Sequence, residues 1–454
     1  MADIAPPPSA YDIQTGTLII GAGACGMVAA LAAVEAGQEV LVIEADAVAT
    51  GSTALSAGLI PAAGTAAQRA AGIDDSAAQF SADIQAKAKG QNDPALVQAL
   101  AEGAGPAIDW LRDVHGLPFS VVTDFDYPGH TNRRMHGLPT RAGAELVDAL
   151  RTACEAAGVD IICGLRVQTL FALGQQITGI IAARADGSRE TIGCTKLILA
   201  CNGFGGNRQM VAQHMPDIQD AVWFGHDGNR GEAVGWGRAL GADTRHLGAY
   251  QGHGNVAHPH GILITWATMT TGGVQVNRAG KRFWNEAQGY SEAARAVLGQ
   301  PGAEAFAIFD ARIAGVARQF EDFKQAEAAG AVHVADDLDG LAQALGLPRD
   351  ALSTTIAGLP EGGSDGFGRV FDTPPLSAPY FGARVTGALF HTQGGLRTDG
   401  QGRVLTPDGT RFPNLFAGGG AACGVSGSGD SGYLSGNGLL AAVVLGRNAG
   451  AAAP

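Results

Sequence analysis

The sequence predicts an α/β fold in which a Rossmann-like sheet domain is interrupted by an inserted α+β domain. Residues 17–45 have the pattern of a strand, a glycine turn, a helix and a second strand. Residues 415–448 again have the pattern of a strand, a glycine-rich loop and a helix. Between them, from about Gly248, the chain becomes loop-like and then has helices of its own. We therefore assign 1–14 to a flexible tail, 15–247 and 391–454 to the sheet domain, and 248–390 to the inserted capping domain.

Length and composition fit two domains with large cores. The chain has 454 residues, of which 46% are hydrophobic and 16% charged, with 68 glycines. A formal net charge of -13 disfavours nucleic acid and anionic membranes as partners. The six cysteines form no C-x-x-C pair, which argues against a metal site or a disulfide framework and fits a cytoplasmic protein. We find no export signal and no charge-free run long enough to span a bilayer.

The first glycine turn predicts a dinucleotide site. Gly21 allows the tight turn, Gly23 lets a phosphate approach the backbone, and Gly26 lets the helix pack close to the strand. The N–H groups at the start of the helix, around Ala24, offer a positive dipole end to a pyrophosphate. Glu44 follows the last glycine by ~18 residues, where an acid accepts both ribose hydroxyls. Glu44 argues against NADP, but it does not separate NAD from FAD.

The remaining elements follow from apolar runs and their flanking residues. Residues 51–65 form a loop of small side chains, where the backbone could pass close to a ligand. Asn92 or Asp93 caps a helix that runs to about His115. Further predicted helices cover 143–157, 303–324, 338–345 and 439–448, and predicted strands cover 177–183, 196–200 and 415–417.

This collinear order of motifs resembles the FAD-dependent fumarate reductase and 3-ketosteroid dehydrogenase superfamily over nearly the whole chain after residue 15. The resemblance implies an enzyme that adds or removes two hydrogens across a carbon–carbon bond next to a carbonyl or carboxylate, with FAD as the hydride partner. The histidine that holds FAD covalently in the membrane complexes is lacking, so the resemblance implies non-covalent FAD. The family's usual acid after the last strand is Gly420 here. The resemblance implies that FAD is bound by Gly21, Gly23, Ala24, Gly26, Glu44, Ser52, Thr53, Gly58, Leu59, Val167, Ala200, Gly203, Glu232, Gly419, Gly438 and Leu439.

Two motifs are similar to the substrate-binding segments of fumarate reductases. His391, in HTQGGLRTD, and His253, in YQGHGN, lie where those enzymes have substrate-binding histidines. However, the two arginines that donate the proton and clamp the substrate there correspond to Met269 and Tyr433. A dicarboxylate requires paired cations in a dry pocket, so these two differences argue against fumarate.

Three tyrosines fall where the resemblance to ketosteroid dehydrogenases places catalytic residues, namely Tyr127, Tyr290 and Tyr433. The resemblance implies that the Tyr433 hydroxyl and the Gly438 N–H polarise a carbonyl oxygen. Tyr290 would then remove the α-proton, with Tyr127 as its neighbour, and the β-hydrogen would leave as hydride to flavin N5. We expect an α,β-dehydrogenase for a cyclic ketone, with a quinone or another carrier as the electron acceptor.

Several alternatives stay open. An enoate reductase for a monocarboxylate could use His391 and His253, and a flavin protein without turnover could serve as an electron carrier. Any one of these tyrosines taken singly is better explained as a packed residue with a satisfied hydroxyl, and only the three coincident placements favour a catalytic role. Arg133 and Arg134 could form a solvated face, or could bind an FAD phosphate or a substrate carboxylate. The histidines near position 258 show no metal-ligand spacing, and we predict no metal.

Overall fold

The computed structural model describes residues 3–123 and 127–453 and divides into two compact units. The sheet unit comprises residues 1–214, 225–250 and 391–454, and the inserted unit comprises 215–224 and 251–390. Segment 215–224 belongs to the inserted unit because its strand Val222–Trp223 pairs in parallel with Ala388 and Leu389. We had predicted that this segment lies in the sheet domain.

Both units contain strands as well as helices. In chain order, the strands are β1 (Asp3–Ala5), β2 (Ile13–Ile20), β3 (Val40–Ile43), β4 (Ile60–Pro61), β5 (Ser120–Val121), β6 (Met135–Gly137), β7 (Asp160–Ile162), β8 (Arg166–Leu173), β9 (Gln176–Ala183), β10 (Arg189–Leu199), β11 (Val222–Trp223), β12 (Thr244–Arg245), β13 (Tyr250–Ala257), β14 (Ile262–Leu263), β15 (Val274–Val276), β16 (Glu304–Asp310), β17 (His333–Ala335), β18 (Tyr380–Thr392), β19 (Gly395–Leu396), β20 (Arg403–Leu405) and β21 (Arg411–Ala417). The helices are α1 (Ala24–Glu35), α2 (Gly51–Ala54), α3 (Ala66–Ala70), α4 (Ala77–Lys87), α5 (Pro94–Asp113), α6 (Gly143–Ala156), α7 (Arg208–His214), α8 (Glu232–Ala239), α9 (Ala267–Thr270), α10 (Tyr290–Leu298), α11 (Ala311–Ala317), α12 (Glu321–Ala328), α13 (Leu338–Leu345), α14 (Arg349–Ala357) and α15 (Asn437–Ala451).

The sheet unit is built on a nine-stranded sheet with the order β1-β8-β9-β10-β2-β3-β7, to which β21 and β20 add beside β10. Strands β3, β2, β10 and β21 are mutually parallel neighbours. Their carboxyl ends therefore meet at one edge, where Glu44, Gly21, Ala200 and Gly418 follow β3, β2, β10 and β21 respectively. Such an edge is where open α/β sheets bind their ligands.

The predicted flexible tail is wrong over its described part. Residues Asp3–Ala5 form β1, which pairs in parallel with Thr169–Phe171 of β8. The Tyr11 side chain then packs over the strands and donates its hydroxyl proton to Thr178 Oγ1 at 2.9 Å. These backbone and side-chain bonds anchor a segment whose proline-rich sequence suggested no partner.

The inserted unit is organised around a second sheet with the order β14-β13-β18-β16-β15, in which β11 and β17 also pair with β18. The predicted helix over 303–324 is wrong at its start, because Glu304–Asp310 forms strand β16. Alternate side chains of β16 enter different cores, with Phe306 and Ile308 on one face and Phe309 on the other. A strand buried on both faces lacks the polar alternation that identifies a half-buried strand.

Other predicted elements are confirmed. Asp93 accepts hydrogen bonds from the N–H groups of Ala95 and Leu96 and caps α5, and α13 spans the predicted Leu338–Leu345.

None of the helices in the described part of the chain has the length and apolar character that a membrane-spanning helix requires.

Candidate active site

The turn between β2 and α1 has the geometry that a dinucleotide site requires. Gly21 has a φ of +104°, and a Cβ atom on Gly26 would lie 1.8 Å from the Gly21 carbonyl oxygen. The helix therefore lies against the turn at a distance that only glycine permits. A Cβ atom on Gly23 would meet only Thr53 Oγ1, at 3.4 Å, within 4 Å. The backbone at Gly23 is thus open to a close ligand.

Glu44 is turned toward this glycine turn. Its side chain is 7% exposed, and its two carboxylate oxygens accept the Ala22 N–H at 2.8 Å and the Asp46 N–H at 2.9 Å. Each oxygen retains a second lone pair. A vicinal pair of ribose hydroxyls could therefore donate to a carboxylate that the backbone already holds in place.

The loop at α2 places two hydroxyls beside the start of α1. Thr53 Oγ1 accepts the Ala24 N–H at 3.0 Å. Ser52 Oγ accepts two amide donors, Asn202 Nδ2 at 2.8 Å and Asn229 Nδ2 at 2.9 Å. Since both lone pairs of Ser52 are used, its own proton must be donated elsewhere. A phosphate oxygen is an acceptor of the right kind.

Gly58 and Leu59, which were predicted to line the flavin site, follow α2 in the chain and pack against other segments of the sheet unit. Gly58 has a φ of +63°, and a Cβ atom there would come within 2.8 Å of the Ala142 carbonyl oxygen. Leu59 packs in a small apolar cluster with Val122 and Met135, against which the ring of Tyr127 lies. Two residues that we predicted in separate roles thus belong to one cluster.

Of the other predicted FAD contacts, Val167 is buried on β8, and the Ala200 N–H donates to the Ile20 carbonyl oxygen at 2.9 Å. The Gly203 carbonyl oxygen accepts the Gly231 N–H at 3.0 Å. Glu232 opens α8, and its carboxylate pairs with Arg166 at 3.0 Å. The Glu232 carboxylate, which was predicted to contact FAD, is therefore already paired with the Arg166 guanidinium.

The C-terminal loop explains why an acid is lacking at position 420. A Cβ atom on Gly420 would lie 2.0 Å from Asn202 Oδ1. Gly419, just before it, has a φ of +56° and opens a 3-10 turn. The space that a side chain at 420 would need is therefore filled by Asn202, a residue that our sequence analysis did not identify. Asn202 lies three residues after the end of β10, in the glycine-rich segment that follows this strand, and has a φ of +63°.

Three predicted catalytic residues come together at the start of α15. A Cβ atom on Gly438 would lie 2.9 Å from His391 Cε1 and 3.1 Å from His391 Nε2. The ring of Tyr433, which is 6% exposed, meets the His391 ring edge-on with centroids 5.6 Å apart. Burial lowers the pKa of His391 to about 4, so the imidazole is neutral at pH 7. Leu439, which follows Gly438, packs against the core of this unit.

The inserted unit has its own aromatic cluster. Tyr290 opens α10, and its ring stacks on His253 with centroids 5.1 Å apart. Phe390 also stacks on His253, with centroids 5.3 Å apart, and Trp266 meets the His253 ring edge-on. His253 Nδ1 accepts the Asn255 N–H at 3.1 Å, and burial lowers the pKa of His253 to about 3. Residues from the two competing interpretations, Tyr290 and His253, are thus direct neighbours.

The carbonyl oxygen of Met269, at one of the two positions where an arginine was expected, accepts a hydrogen bond from Arg369 at 2.9 Å. The guanidinium of Arg369 also pairs with Glu286 at 3.0 Å, and both side chains are buried. This arginine therefore stabilises the segment around Met269 and is already paired.

Arg134 is neither a solvated residue nor an anion ligand. Its guanidinium is fully buried, pairs with Asp75 at 2.9 Å and Asp83 at 2.6 Å, and lies over the Phe80 ring. The proposals for a solvated face or a phosphate contact are therefore wrong for Arg134. Arg133, next to it, is exposed. In the described part of the chain, no group of His, Cys, Asp and Glu could hold a metal ion.

Both the sequence and the fold of this chain have known relatives. A family model described as an FAD binding domain matches residues 16–439. A probable fumarate reductase of Shewanella frigidimarina is 30% identical over 443 residues, which cover 96% of this chain and 74% of that protein. The open conformation of a flavocytochrome c3 fumarate reductase is similar with a TM-score of 0.82 and 28% identity, over 98% of this chain and 78% of that one. The 3-ketosteroid-delta4-(5alpha)-dehydrogenase of Rhodococcus jostii RHA1 is similar with a TM-score of 0.77 and 25% identity, over 99% of each chain.

Proposed function

Since the chain belongs to the FAD binding domain family, we propose that the oxidoreductase reaction it catalyses is the α,β-desaturation of a cyclic ketone. The alternative within the same family is the reverse reaction, reduction of an enoate. Both reactions change a carbon–carbon bond, as do the reactions of the fumarate reductases and ketosteroid dehydrogenases that this chain resembles.

The residues present fit FAD. Ser52 has a hydroxyl proton to donate beside α1, Gly23 leaves its backbone open, and Glu44 has a free lone pair on each oxygen. Together they match the donors and acceptors of a pyrophosphate and a ribose. Bound FAD would supply the acceptor for a hydride at flavin N5. We propose that it is held without a covalent bond and that a quinone or a similar carrier reoxidises it.

The single observation that supports a ketone is Tyr433 beside His391 and Gly438. A tyrosine hydroxyl and a helix N-terminal N–H donate to one oxygen atom, which suits a carbonyl that gains negative charge. A dicarboxylate would instead require paired cations. Arg369, which contacts the Met269 backbone, is already paired with Glu286.

In this proposal Tyr433 and Gly438 polarise the carbonyl and lower the pKa of the α-proton, which Tyr290 removes. A free phenol has a pKa of ~10, so Tyr290 requires a neighbour that favours its ionised form. Its ring neighbour is His253, whose Nδ1 accepts a backbone proton. That bond leaves the single imidazole proton on Nε2, which points along the plane of the His253 ring and not at the Tyr290 ring stacked on it. Tyr127 keeps its predicted supporting role as a proposal.

The test of the proton-removal step is Tyr290→Phe. We expect it to retain FAD and to lose on the order of 10²–10⁴ in the rate of flavin reduction by a ketone, the usual size of a general-base contribution. Tyr380→Phe is the control, because Tyr380 begins β18 and has no assigned role. Equal rates in wild type and Tyr290→Phe would remove the tyrosine mechanism.

A second experiment separates the ketone from the enoate. Dye reduction with added ketones is compared with oxidation of reduced viologen by enoates, using the same holoenzyme. Activity with enoates alone would favour His391 and His253 as substrate-binding residues. Silence in both assays would favour a flavin protein that transfers electrons without converting a substrate.

A further inference from the structure

A row of polar side chains connects the start of α15 to His391. Asn437, Ser426 and Gln393 are 0%, 1% and 5% exposed. Asn437 Nδ2 lies 3.2 Å from Ser426 Oγ, and Ser426 Oγ lies 2.7 Å from Gln393 Oε1. Gln393 Nε2 lies 3.0 Å from His391 Nδ1. The row contains no charged group, so its hydrogen-bond directions depend on which atom of the Asn437 amide faces Ser426.

These directions can be followed from one end to the other. The Asn437 amide nitrogen faces Ser426, so Ser426 Oγ accepts a hydrogen bond from the Asn437 Nδ2–H and donates its own hydroxyl proton to Gln393 Oε1. The amide oxygen of Gln393 is thereby fixed as the acceptor, which leaves its nitrogen facing His391. An amide nitrogen only donates, so His391 Nδ1 has to be the unprotonated nitrogen of the ring.

One contact would favour the opposite arrangement. His391 Nδ1 also lies 3.3 Å from the Thr392 carbonyl oxygen, which could accept a proton only if Nδ1 carried one. The contact with Gln393 is shorter, at 3.0 Å, and Ser426 fixes the orientation of the Gln393 amide. The contact with Gln393 therefore decides which ring nitrogen of His391 carries the proton, and the Thr392 carbonyl does not.

We propose that Gln393 is a positioning residue that holds His391 in the Nε2–H tautomer, so that the ring presents a hydrogen-bond donor to the oxygen of the substrate. His391 Nε2 is the ring nitrogen beside Gly438, 3.1 Å from the place of a Cβ atom there. Together with Tyr433, it provides donors to a single oxygen, which fits a ketone or enolate. His391 then cannot remove the α-proton, because its only free position is already protonated.

The proposal rests on the proposed function only for the identity of that oxygen, and its first test does not involve turnover. In holoenzyme labelled with ¹⁵N in histidine, couplings between ring protons and ring nitrogens report the tautomer. The His391 signals are assigned by their loss in His391→Gln. We expect the Nε2–H form at pH 7, since burial lowers the pKa of His391 to about 4. The Nδ1–H form in wild type would overturn the proposal.

Two variants of Gln393 test the cause. In Gln393→Glu the carboxylate accepts a proton, and in Gln393→Met only the Thr392 carbonyl remains for Nδ1, so both should move the proton to Nδ1. Retained FAD absorbance and an unchanged melting temperature show that a variant is folded. Gln319→Glu, at an exposed position, is the matched control for the added charge and should leave the His391 signals unchanged. If both folded variants keep the Nε2–H form, Gln393 does not set the tautomer.

Binding of cyclohex-2-en-1-one, followed by the flavin absorbance, provides the second readout. Replacing a donor by an acceptor at Nε2 should weaken its binding by about 10- to 100-fold in Gln393→Glu, by the usual worth of a buried hydrogen bond. Equal affinity in wild type and Gln393→Glu would overturn the role toward the substrate. If wild type binds no ketone, the proposed function fails, while the tautomer experiment still decides the role of Gln393.

Discussion

The buried His136 should make the sheet unit sensitive to mild acid. The side chain is 0% exposed on β6, with Nδ1 2.9 Å from the Arg134 carbonyl oxygen and Nε2 2.8 Å from Thr65 Oγ1. The carbonyl can only accept, so Nδ1 carries the proton and Nε2 accepts the Thr65 hydroxyl. Both ring nitrogens are satisfied in the neutral form, and burial lowers the pKa of His136 to about 4.

The sign and size of the effect follow from linkage. The pKa in the unfolded chain is ~6.5, so between that value and the folded pKa the unfolded state binds more protons. The contribution of His136 to stability is therefore complete above pH 6.5 and is lost as the pH falls toward 4. At pH 5 the unfolded histidine is almost fully protonated and the folded one almost neutral, which amounts to ~2 kcal/mol.

His136→Gln keeps a polar side chain but cannot titrate in this range. Unfolding by urea, followed by circular dichroism, gives the free energy of unfolding of both proteins at pH 7 and pH 5. Wild type should lose ~2 kcal/mol more than the variant between these two values, because all other titrating groups are common to both. An equal loss in the two proteins would show that His136 is not the acid-sensitive group.

Three further predictions concern the cofactor. Acid precipitation should release FAD into the supernatant, and flavin retained on the denatured chain would contradict a non-covalent bond. Glu44→Gln replaces one of two acceptor oxygens by an NH₂ group that faces a backbone donor; FAD should bind about tenfold more weakly, whereas Glu39→Gln, at an exposed position, should bind it normally. Asn229→Ala removes one of the two amides that donate to Ser52 Oγ, and FAD should dissociate on the order of 5- to 30-fold faster by fluorescence, a bond worth about 1–2 kcal/mol; an unchanged dissociation rate would assign Asn229 to loop packing alone.

The parts of the fold that local patterns determine could be predicted from the sequence. The first strand, glycine turn, helix and strand depend on residues within one short segment, and the structure has them at β2, α1 and β3. The same holds for α5, where Asp93 caps and Pro94 begins the helix. Strand β16 could not be recognised in this way, because it is apolar on both faces and its partners are distant in sequence.

In the candidate site, too, some residues could be predicted from local motifs, whereas others depend on partners that are distant in sequence. The positions of Tyr433, Gly438 and His391 follow from motifs, but Gln393 gains a role only because Ser426 and Asn437 fold against it. A sequence gives no sign of which amide will face which ring nitrogen. The role of Arg134 could not be predicted from the sequence either, because its partners Asp75 and Asp83 precede it by 59 and 51 positions.

The discontinuous course of the chain has a consequence for its synthesis on the ribosome. Leu197–Leu199 of β10 gain their parallel partners Leu415–Ala417 only after roughly 200 further residues, including the whole inserted unit, have been made. At 5–20 residues per second this takes roughly 10–40 s, during which an apolar strand edge has no partner from its own chain. The glycine turn and Glu44 emerge before the inserted unit, whereas His391 and Tyr433 emerge after it. Nascent chains therefore pass through a long interval in which the edge must be shielded from other chains, and the yield of native protein should depend on the speed of translation and on chaperone supply.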